Sequence, residues 1–131
     1  MQQSPVQYKK VIVIDDDPIN NMICEKMVQH AGFAEQVDSF LSALDALEWL
    51  KNAKENTSGI FILLDINLPL MNGWEFLEQL EYLKTTHTMD LSIYIHSSSV
   101  SVDDQQKAKE HPLVDGFILK PLTLEKLTEL K

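Results

Sequence analysis

The chain has very little cysteine and no long apolar run. Cys24 is the single cysteine among 131 residues, so no internal disulfide can form, and we expect a reducing, cytoplasmic location. No apolar run reaches the roughly 20 residues that a membrane-spanning helix needs, and residues 1–5 lack the charged and apolar regions of a signal peptide. We expect Cys24 to be a buried helical side chain and not a reactive thiol.

Basic residues are scarce relative to acidic ones. The chain has 11 Lys and Arg against 20 Asp and Glu, which gives a net charge of −9. This balance argues against direct binding to nucleic acid or to an anionic membrane, since both need a basic surface. The hydrophobic fraction of 44% and the charged fraction of 24% are ordinary for a globular protein. A chain of 131 residues is long enough for one domain with a real core.

Short apolar runs alternate with helical patterns along the chain. We predict strands at residues 9–14, 37–40, 60–64, 91–96 and 116–119. The predicted helices cover residues 18–31, 41–56, 74–83, 102–110 and 122–131. We expect Asp17 to cap the first of these helices. The second helix carries a stripe of leucines at positions 41, 44, 47 and 50. Five strands that alternate with five helices predict an α/β fold, in which a doubly wound parallel sheet carries helices on both faces.

Charged residues follow three of the predicted strands. Asp15 and Asp16 come directly after the first strand, Asp65 after the third and Lys120 after the fifth. Because ligands of open parallel sheets bind outside the carboxyl ends of the strands, we expect these side chains to meet at one site. Three clustered acids repel one another unless a cation holds them. The sequence therefore predicts a site for a hard metal ion with a lysine at its rim, where a phosphoryl group could bind.

Each of these residues also has a simpler interpretation. Asp15 or Asp16 could cap the helix that begins near Pro18, although Asp17 is the better candidate for that cap. Lys120 on its own would be an ordinary solvated lysine. The convergence of three strand ends with complementary charge favours the site over these interpretations.

Four blocks of sequence resemble the signature blocks of receiver domains of two-component response regulators, the CheY-like superfamily. These blocks are VIVIDDDPINN, LLDINLPLMNGWEFL, the SSS that follows IYIH, and GFILKP. The resemblance implies a flavodoxin-like fold, with a five-stranded parallel sheet in the order 2-1-3-4-5. We expect a single receiver domain over residues 1–131, with its core from about residue 9 and no output domain, either as a stand-alone receiver or as a receiver cut from a larger sensor or regulator.

The resemblance implies a role for each residue of the acidic site. Asp65 has the position of the phospho-accepting aspartate, and Lys120 that of the lysine that contacts the acceptor and then the phosphoryl oxygens. Asp16 resembles the direct Mg²⁺ ligand, and Asp15 the acid that acts largely through a metal-bound water. The third protein ligand would be the backbone carbonyl of Asn67. The cofactor is expected to be Mg²⁺, with Mn²⁺ or Ca²⁺ able to substitute.

The resemblance also implies a switch between two conformations. Ser97 matches the hydroxyl that binds a phosphoryl oxygen, and Phe117 matches the aromatic residue that rotates inwards behind it. Ser98 remains an alternative to Ser97, and Phe117 could be an ordinary core residue. Pro121 indicates a cis Lys120–Pro121 bond, as the family has.

The implied function is phosphoryl acceptance from a histidine kinase or a histidine phosphotransfer domain, followed by a change in affinity for a downstream protein target. A further option is that the phosphorylated domain binds a second copy of itself and forms a homodimer. Such a domain is not an enzyme, apart from catalysing its own phosphorylation and dephosphorylation. The alternatives are an inert pseudo-receiver that only binds partners, and a Mg²⁺-dependent enzyme that uses Asp65 on an outside substrate. The short connections leave no room for the substrate pocket that the enzyme would need.

Overall fold

The computed structural model of the chain describes residues 8–53, 58–98 and 101–130. These residues form β1 (Tyr8–Ile14), α1 (Pro18–Ala31), β2 (Ala34–Phe40), α2 (Ala43–Asn52), β3 (Ile60–Leu64), α3 (Gly73–Leu83), β4 (Leu91–Ser97), α4 (Val102–Glu110), β5 (Gly116–Leu119) and α5 (Leu124–Glu129). The strands make one parallel sheet in the order β2-β1-β3-β4-β5, so the predicted fold class is confirmed. No helix in the described part of the chain is long and apolar enough to cross a membrane.

The sheet lies between two apolar clusters. Successive residues of β1 and β3 point to opposite faces of the sheet. One set packs against α1 and α5, and the other set packs against α2, α3 and α4. All five residues of β3 are buried, as expected for the central strand of a parallel sheet with both faces covered. Ile14 pairs with Leu64 at the carboxyl ends of β1 and β3, which brings the residues after these two strands to the same level.

Three local predictions are confirmed, namely the Asp17 cap of α1, the cis Lys120–Pro121 bond and the burial of Cys24. Asp17 caps α1, because its side chain accepts a hydrogen bond from the backbone N–H of Ile19. Gly32 ends that helix in the left-handed conformation with a φ of 60°, which glycine adopts without a steric penalty. The Lys120–Pro121 peptide bond is cis, and Cys24 is buried.

Several predicted boundaries are wrong because side-chain caps decide where helices begin. α2 begins at Ala43, two residues later than predicted, since Ser42 accepts a hydrogen bond from the backbone of Asp45. α5 begins at Leu124 because Thr123 caps it in the same way. β1 begins one residue earlier, β2 begins three residues earlier and β4 ends one residue later than predicted. The predicted ends of α2 at residue 56 and of α5 at residue 131 lie outside the described residues.

The predicted leucine stripe of α2 is confirmed only in its second half. The buried positions are Ala43, Ala46 and Leu50, whereas Leu41 and Leu44 are about half exposed, at 53% and 47%. The small side chains of the two alanines lie in the apolar cluster that fills the space between this helix and the sheet. The spacing of three residues therefore identified the packed face only at Leu47 and Leu50, which lie against the core.

Candidate functional site

The carboxyl ends of β1 and β3 bring three acidic residues together. The backbone N–H of Asp65 donates to Ile14 O at 3.0 Å, which extends the β1–β3 pairing by one residue. One carboxylate oxygen from each of Asp15, Asp16 and Asp65 lies within 4.8 Å of the other two. Asp15 and Asp65 are buried, whereas Asp16 is exposed. The cluster therefore joins two buried carboxylates to a third that faces solvent.

Lys120 links the two buried carboxylates. Its Nζ lies 2.5 Å from Asp15 Oδ2 and 3.4 Å from Asp65 Oδ2. Its backbone N–H donates to Ser97 O at 2.9 Å, which anchors the residue beside the end of β4. Burial lowers the pKa of Lys120, but the hydrogen bond to Asp15 and the charges of Asp65 and Asp15 outweigh this effect and raise it overall. The ammonium group therefore stays protonated and offsets part of the negative charge.

The first residues of α1 hold Asp15 in place. Asp15 Oδ1 accepts from the backbone N–H of Asp17 at 2.9 Å, and Oδ2 accepts from Asn20 Nδ2 at 3.0 Å. Asn21 Nδ2 donates to the backbone carbonyl of Asp15 at 2.9 Å. The two asparagines were not predicted as site residues. The only feature of the sequence that could have indicated them is their position, five and six residues after the acid that ends β1. Since Asp17 is the cap, the simpler interpretation of Asp15 and Asp16 as helix caps is wrong.

The surroundings of Asp65 favour neutralisation of its carboxylate by a proton or by a cation. Burial raises the pKa of Asp65, and the hydrogen bond from the Asn67 backbone together with the charge of Lys120 offsets only part of this increase. Asn67 N donates to Asp65 Oδ1 at 3.0 Å, so the predicted ligand residue lies directly beside the Asp65 side chain. A buried carboxylate with raised proton affinity is also a better binding partner for a metal ion.

The start of α3 determines the course of the loop that follows Asp65. A Cβ atom on Gly73 would lie 2.7 Å from Ile66 Cα and 2.8 Å from Asp65 O, so only glycine allows this close approach. Asn72 and Glu75 form a reciprocal capping box at the same point. The helix is thus packed directly against the backbone of the residue that carries the central carboxylate.

The predicted switch residues lie on β4 and β5. Ser97 is buried at the end of β4 and Ser98 is exposed, whereas Ser99 lies outside the described residues. Phe117 is half buried and packs against the α2/α3/α4 side of the core. It lines a groove between α4 and β5 of about 610 Å³, together with Gln105, Ala108, Lys109, Val114, Asp115, Gly116 and Leu119.

His96 is a buried titratable group directly before Ser97. Its side chain is 1% exposed, and Nε2 has no hydrogen-bond partner within the described part of the chain. Burial, followed by the positive charge of Lys120, lowers the pKa of His96 to about 4. The folded protein therefore holds this imidazole neutral at pH values where a solvated histidine is protonated.

This burial predicts that His96 makes the protein less stable in acid. Below pH 6.5 the unfolded chain takes up a proton at His96 that the folded chain does not bind until about pH 4. The free energy of unfolding of wild type should therefore fall, relative to that of His96→Leu, by about 3 kcal/mol between pH 7 and pH 4. Urea unfolding at several pH values measures this difference, with His30→Leu at an exposed position as the control. Parallel curves for wild type and His96→Leu would contradict the prediction.

The donor set of the acidic cluster fits a hard divalent cation. Mg²⁺ prefers oxygen ligands, takes few protein carboxylates and keeps several waters. Two buried carboxylates with an exposed third supply oxygen ligands and leave one side of the cluster accessible to water. The residues are therefore suited to Mg²⁺.

The chain is a doubly wound α/β domain whose acidic cluster lies at the carboxyl edge of the sheet, where such domains bind their ligands. Residues 11–130 match the family model of the response regulator receiver domain. The chain therefore belongs to the response regulator receiver domain family, whose members are signalling domains of two-component systems.

Individual relatives agree with this assignment. The chain is 33% identical over 122 residues to hybrid signal transduction histidine kinase L of Dictyostelium discoideum, covering 92% of this chain and 7% of that protein. It is 29% identical to the two-component response regulator ARR11 of Arabidopsis thaliana, covering 95% of this chain and 22% of that protein. The chain thus spans less than a quarter of the length of these two relatives.

Solved structures share the fold over nearly the whole chain. A response regulator receiver protein from Dyadobacter fermentans superimposes with a TM-score of 0.81 at 27% identity, covering 93% of this chain and 94% of that one. A two-component response regulator from Cytophaga hutchinsonii gives a TM-score of 0.75 at 30% identity, covering 95% and 94%.

Proposed function

We propose that Asp65 accepts a phosphoryl group from a phospho-histidine donor in a Mg²⁺-dependent reaction. The observation that carries this proposal is the position of the Lys120 ammonium between the carboxylates of Asp15 and Asp65, in an acidic cluster that includes the exposed Asp16. The donor is a histidine kinase or a histidine phosphotransfer domain, because these are the partners of receiver domains in general. The chain acts in the cytoplasm.

The transfer is a displacement at phosphorus. A carboxylate oxygen of Asp65 attacks the phosphorus atom, the P–N bond to the donor imidazole breaks, and the imidazole leaves with the electron pair. Lys120 Nζ starts 3.4 Å from Asp65 Oδ2 and can hydrogen-bond the phosphoryl oxygens as their charge moves towards Asp65. Hydrolysis of the same acyl phosphate returns the chain to its starting state.

Four residues are suited to hold the metal ion. Asp16 and Asp65 would bind Mg²⁺ directly, Asp15 largely through a bound water, and Asn67 through its backbone carbonyl. When bound, Mg²⁺ offsets negative charge on the transferring phosphoryl group. Mn²⁺ or Ca²⁺ would occupy the same oxygen ligands. The clustering of the three carboxylates supports this assignment.

The phosphorylated chain changes its partner-binding surface through Ser97 and Phe117. A phosphoryl group adds about two negative charges and strong acceptors, which Ser97 can reach as a hydroxyl donor. Movement of Ser97 frees space for Phe117 to turn inwards and reshapes the groove between α4 and β5. A downstream protein target, or a second phosphorylated copy, would bind the altered surface. The burial of Ser97 supports it over the exposed Ser98.

A time course with excess acetyl phosphate and Mg²⁺ tests this function against its alternatives. A receiver takes up one phosphoryl group per chain and then releases phosphate slowly. An inert pseudo-receiver does neither, and an enzyme acting on outside substrates releases phosphate continuously without accumulating a stable adduct. Either of these last two results would contradict the proposal.

Asp16→Asn is expected to weaken Mg²⁺ binding with little loss of stability, since Asp16 is exposed and the substitution preserves its shape. Isothermal titration of Mg²⁺ into wild type and variant measures the effect. Asp17→Asn is a matched control, because Asp17 is the neighbouring acid and acts as the α1 cap, which asparagine also supports. An unchanged Mg²⁺ affinity in Asp16→Asn would remove Asp16 from the ligand set.

A further inference from the structure

Lys126 on α5 binds the backbone on both sides of Lys120. Its Nζ donates to Leu119 O at 2.6 Å and to Pro121 O at 2.8 Å. These two carbonyls belong to the residues immediately before and after Lys120. A single ammonium group therefore binds the backbone on both sides of Lys120. Hydrogen bonds from a charged donor are stronger than those between neutral groups.

The side chain of Lys126 is held in place although it lies at the surface. It is the third residue of the six-residue helix α5. Its own backbone N–H donates to the capping oxygen of Thr123 at 3.2 Å. An ordinary surface lysine would keep its conformational freedom in solvent, whereas this side chain is held against two carbonyls.

The strand before Lys120 has few other anchors. β5 has four residues and lies at the edge of the sheet, paired with β4 alone. Beyond its last residue, Leu119, the chain is connected to β4 by the hydrogen bond from Lys120 N to Ser97 O. The contacts of Lys126 therefore add a second restraint at the point where the Lys120 side chain leaves the backbone.

We propose that Lys126 is a positioning residue that holds the Lys120 backbone so that its ammonium group stays between Asp15 and Asp65. This inference rests on the proposed function, because it concerns the rate at which Asp65 accepts a phosphoryl group. Lys126 does not contact the carboxylates in this arrangement, and it acts through the carbonyls of Leu119 and Pro121.

The test compares Lys126→Met, which removes the donor, with Lys126→Arg, which keeps charge and donors on a side chain of similar length. Lys84→Met, at an exposed lysine after α3, is the matched control. For Lys126→Met we expect faster hydrogen exchange of the Lys120 amide and about tenfold slower phosphoryl uptake from acetyl phosphate at saturating Mg²⁺. The Mg²⁺ affinity should stay unchanged, because no proposed ligand is removed. Lys126→Arg should recover most of the uptake rate.

Three results would overturn the inference. The first is uptake and amide exchange in Lys126→Met equal to those of Lys84→Met. The second is an equal loss of uptake, Mg²⁺ affinity and thermal stability, which would indicate a general structural role. The third is an uptake rate in Lys126→Arg as low as in Lys126→Met. The wild-type result separates a failure of the proposed function from a failure of this inference. If wild type itself takes up no phosphoryl group, the proposed function fails and the role of Lys126 fails with it. Uptake by wild type that Lys126→Met leaves unchanged overturns the role of Lys126 alone.

Discussion

Asp65→Asn is expected to abolish the phosphoryl adduct that wild type forms with acetyl phosphate and Mg²⁺. The substitution replaces a carboxylate nucleophile with an amide of nearly the same shape, whose oxygen can still accept the hydrogen bond from Asn67 N. Loss of the adduct would therefore reflect lost chemistry and not a displaced loop. Intact mass spectrometry after a fixed incubation measures the adduct directly.

Asp38→Asn is the control for this experiment. Asp38 is a strand acid on β2 that pairs with Lys10 at the surface, away from the carboxylate cluster. We expect it to form the adduct at the wild-type level. An adduct of unchanged amount in Asp65→Asn would contradict the assignment of Asp65 as the acceptor.

Lys120→Met is expected to change phosphoryl uptake and Mg²⁺ affinity in opposite directions. Removing one preorganised donor to a developing charge typically slows a reaction by about 10²–10³-fold. The same substitution removes a positive charge that lies 2.5 Å and 3.4 Å from two carboxylate oxygens of the proposed metal site. Mg²⁺ no longer has to share these carboxylates with a cation, so its affinity should rise.

Two titrations on the same variant separate these effects. The initial rate of adduct formation is measured at saturating Mg²⁺, and Mg²⁺ binding is measured without the phosphodonor. Lys51→Met, at an exposed position in the last turn of α2, should leave both values unchanged. A parallel loss of uptake and Mg²⁺ affinity in Lys120→Met would mean that the lysine only maintains the shape of the site.

The fold was predictable from the sequence because its central strands are unusually apolar. The run from Ile60 to Leu64 has no polar residue, which indicates a strand buried on both faces, and the structure buries every one of its side chains. The order of the strands came from the family resemblance, since periodicity alone does not distinguish among parallel arrangements. The buried face of α2 was predicted only in part, because Ala43 and Ala46 pack against the sheet where Leu41 and Leu44 were expected.

The clustering of the acids was predictable for a topological reason. Asp15, Asp16 and Asp65 follow strands that end at the same edge, so their proximity depends on connectivity and not on fine geometry. The supporting contacts of Asn20, Asn21 and Lys126 depend on side-chain rotamers and on the path of short loops. Strand and helix patterns carry no information about such contacts.

The most direct test of the central claim is to locate the phosphoryl group on the chain. Wild type is incubated with acetyl phosphate in Mg²⁺ or in chelator, treated with borohydride, which reduces an aspartyl phosphate to an alcohol, and digested for peptide mapping. We predict a single reduced residue at position 65, present with Mg²⁺ and absent with chelator. Modification at another residue, or at position 65 to the same extent in both conditions, would contradict a Mg²⁺-dependent acceptor site at Asp65.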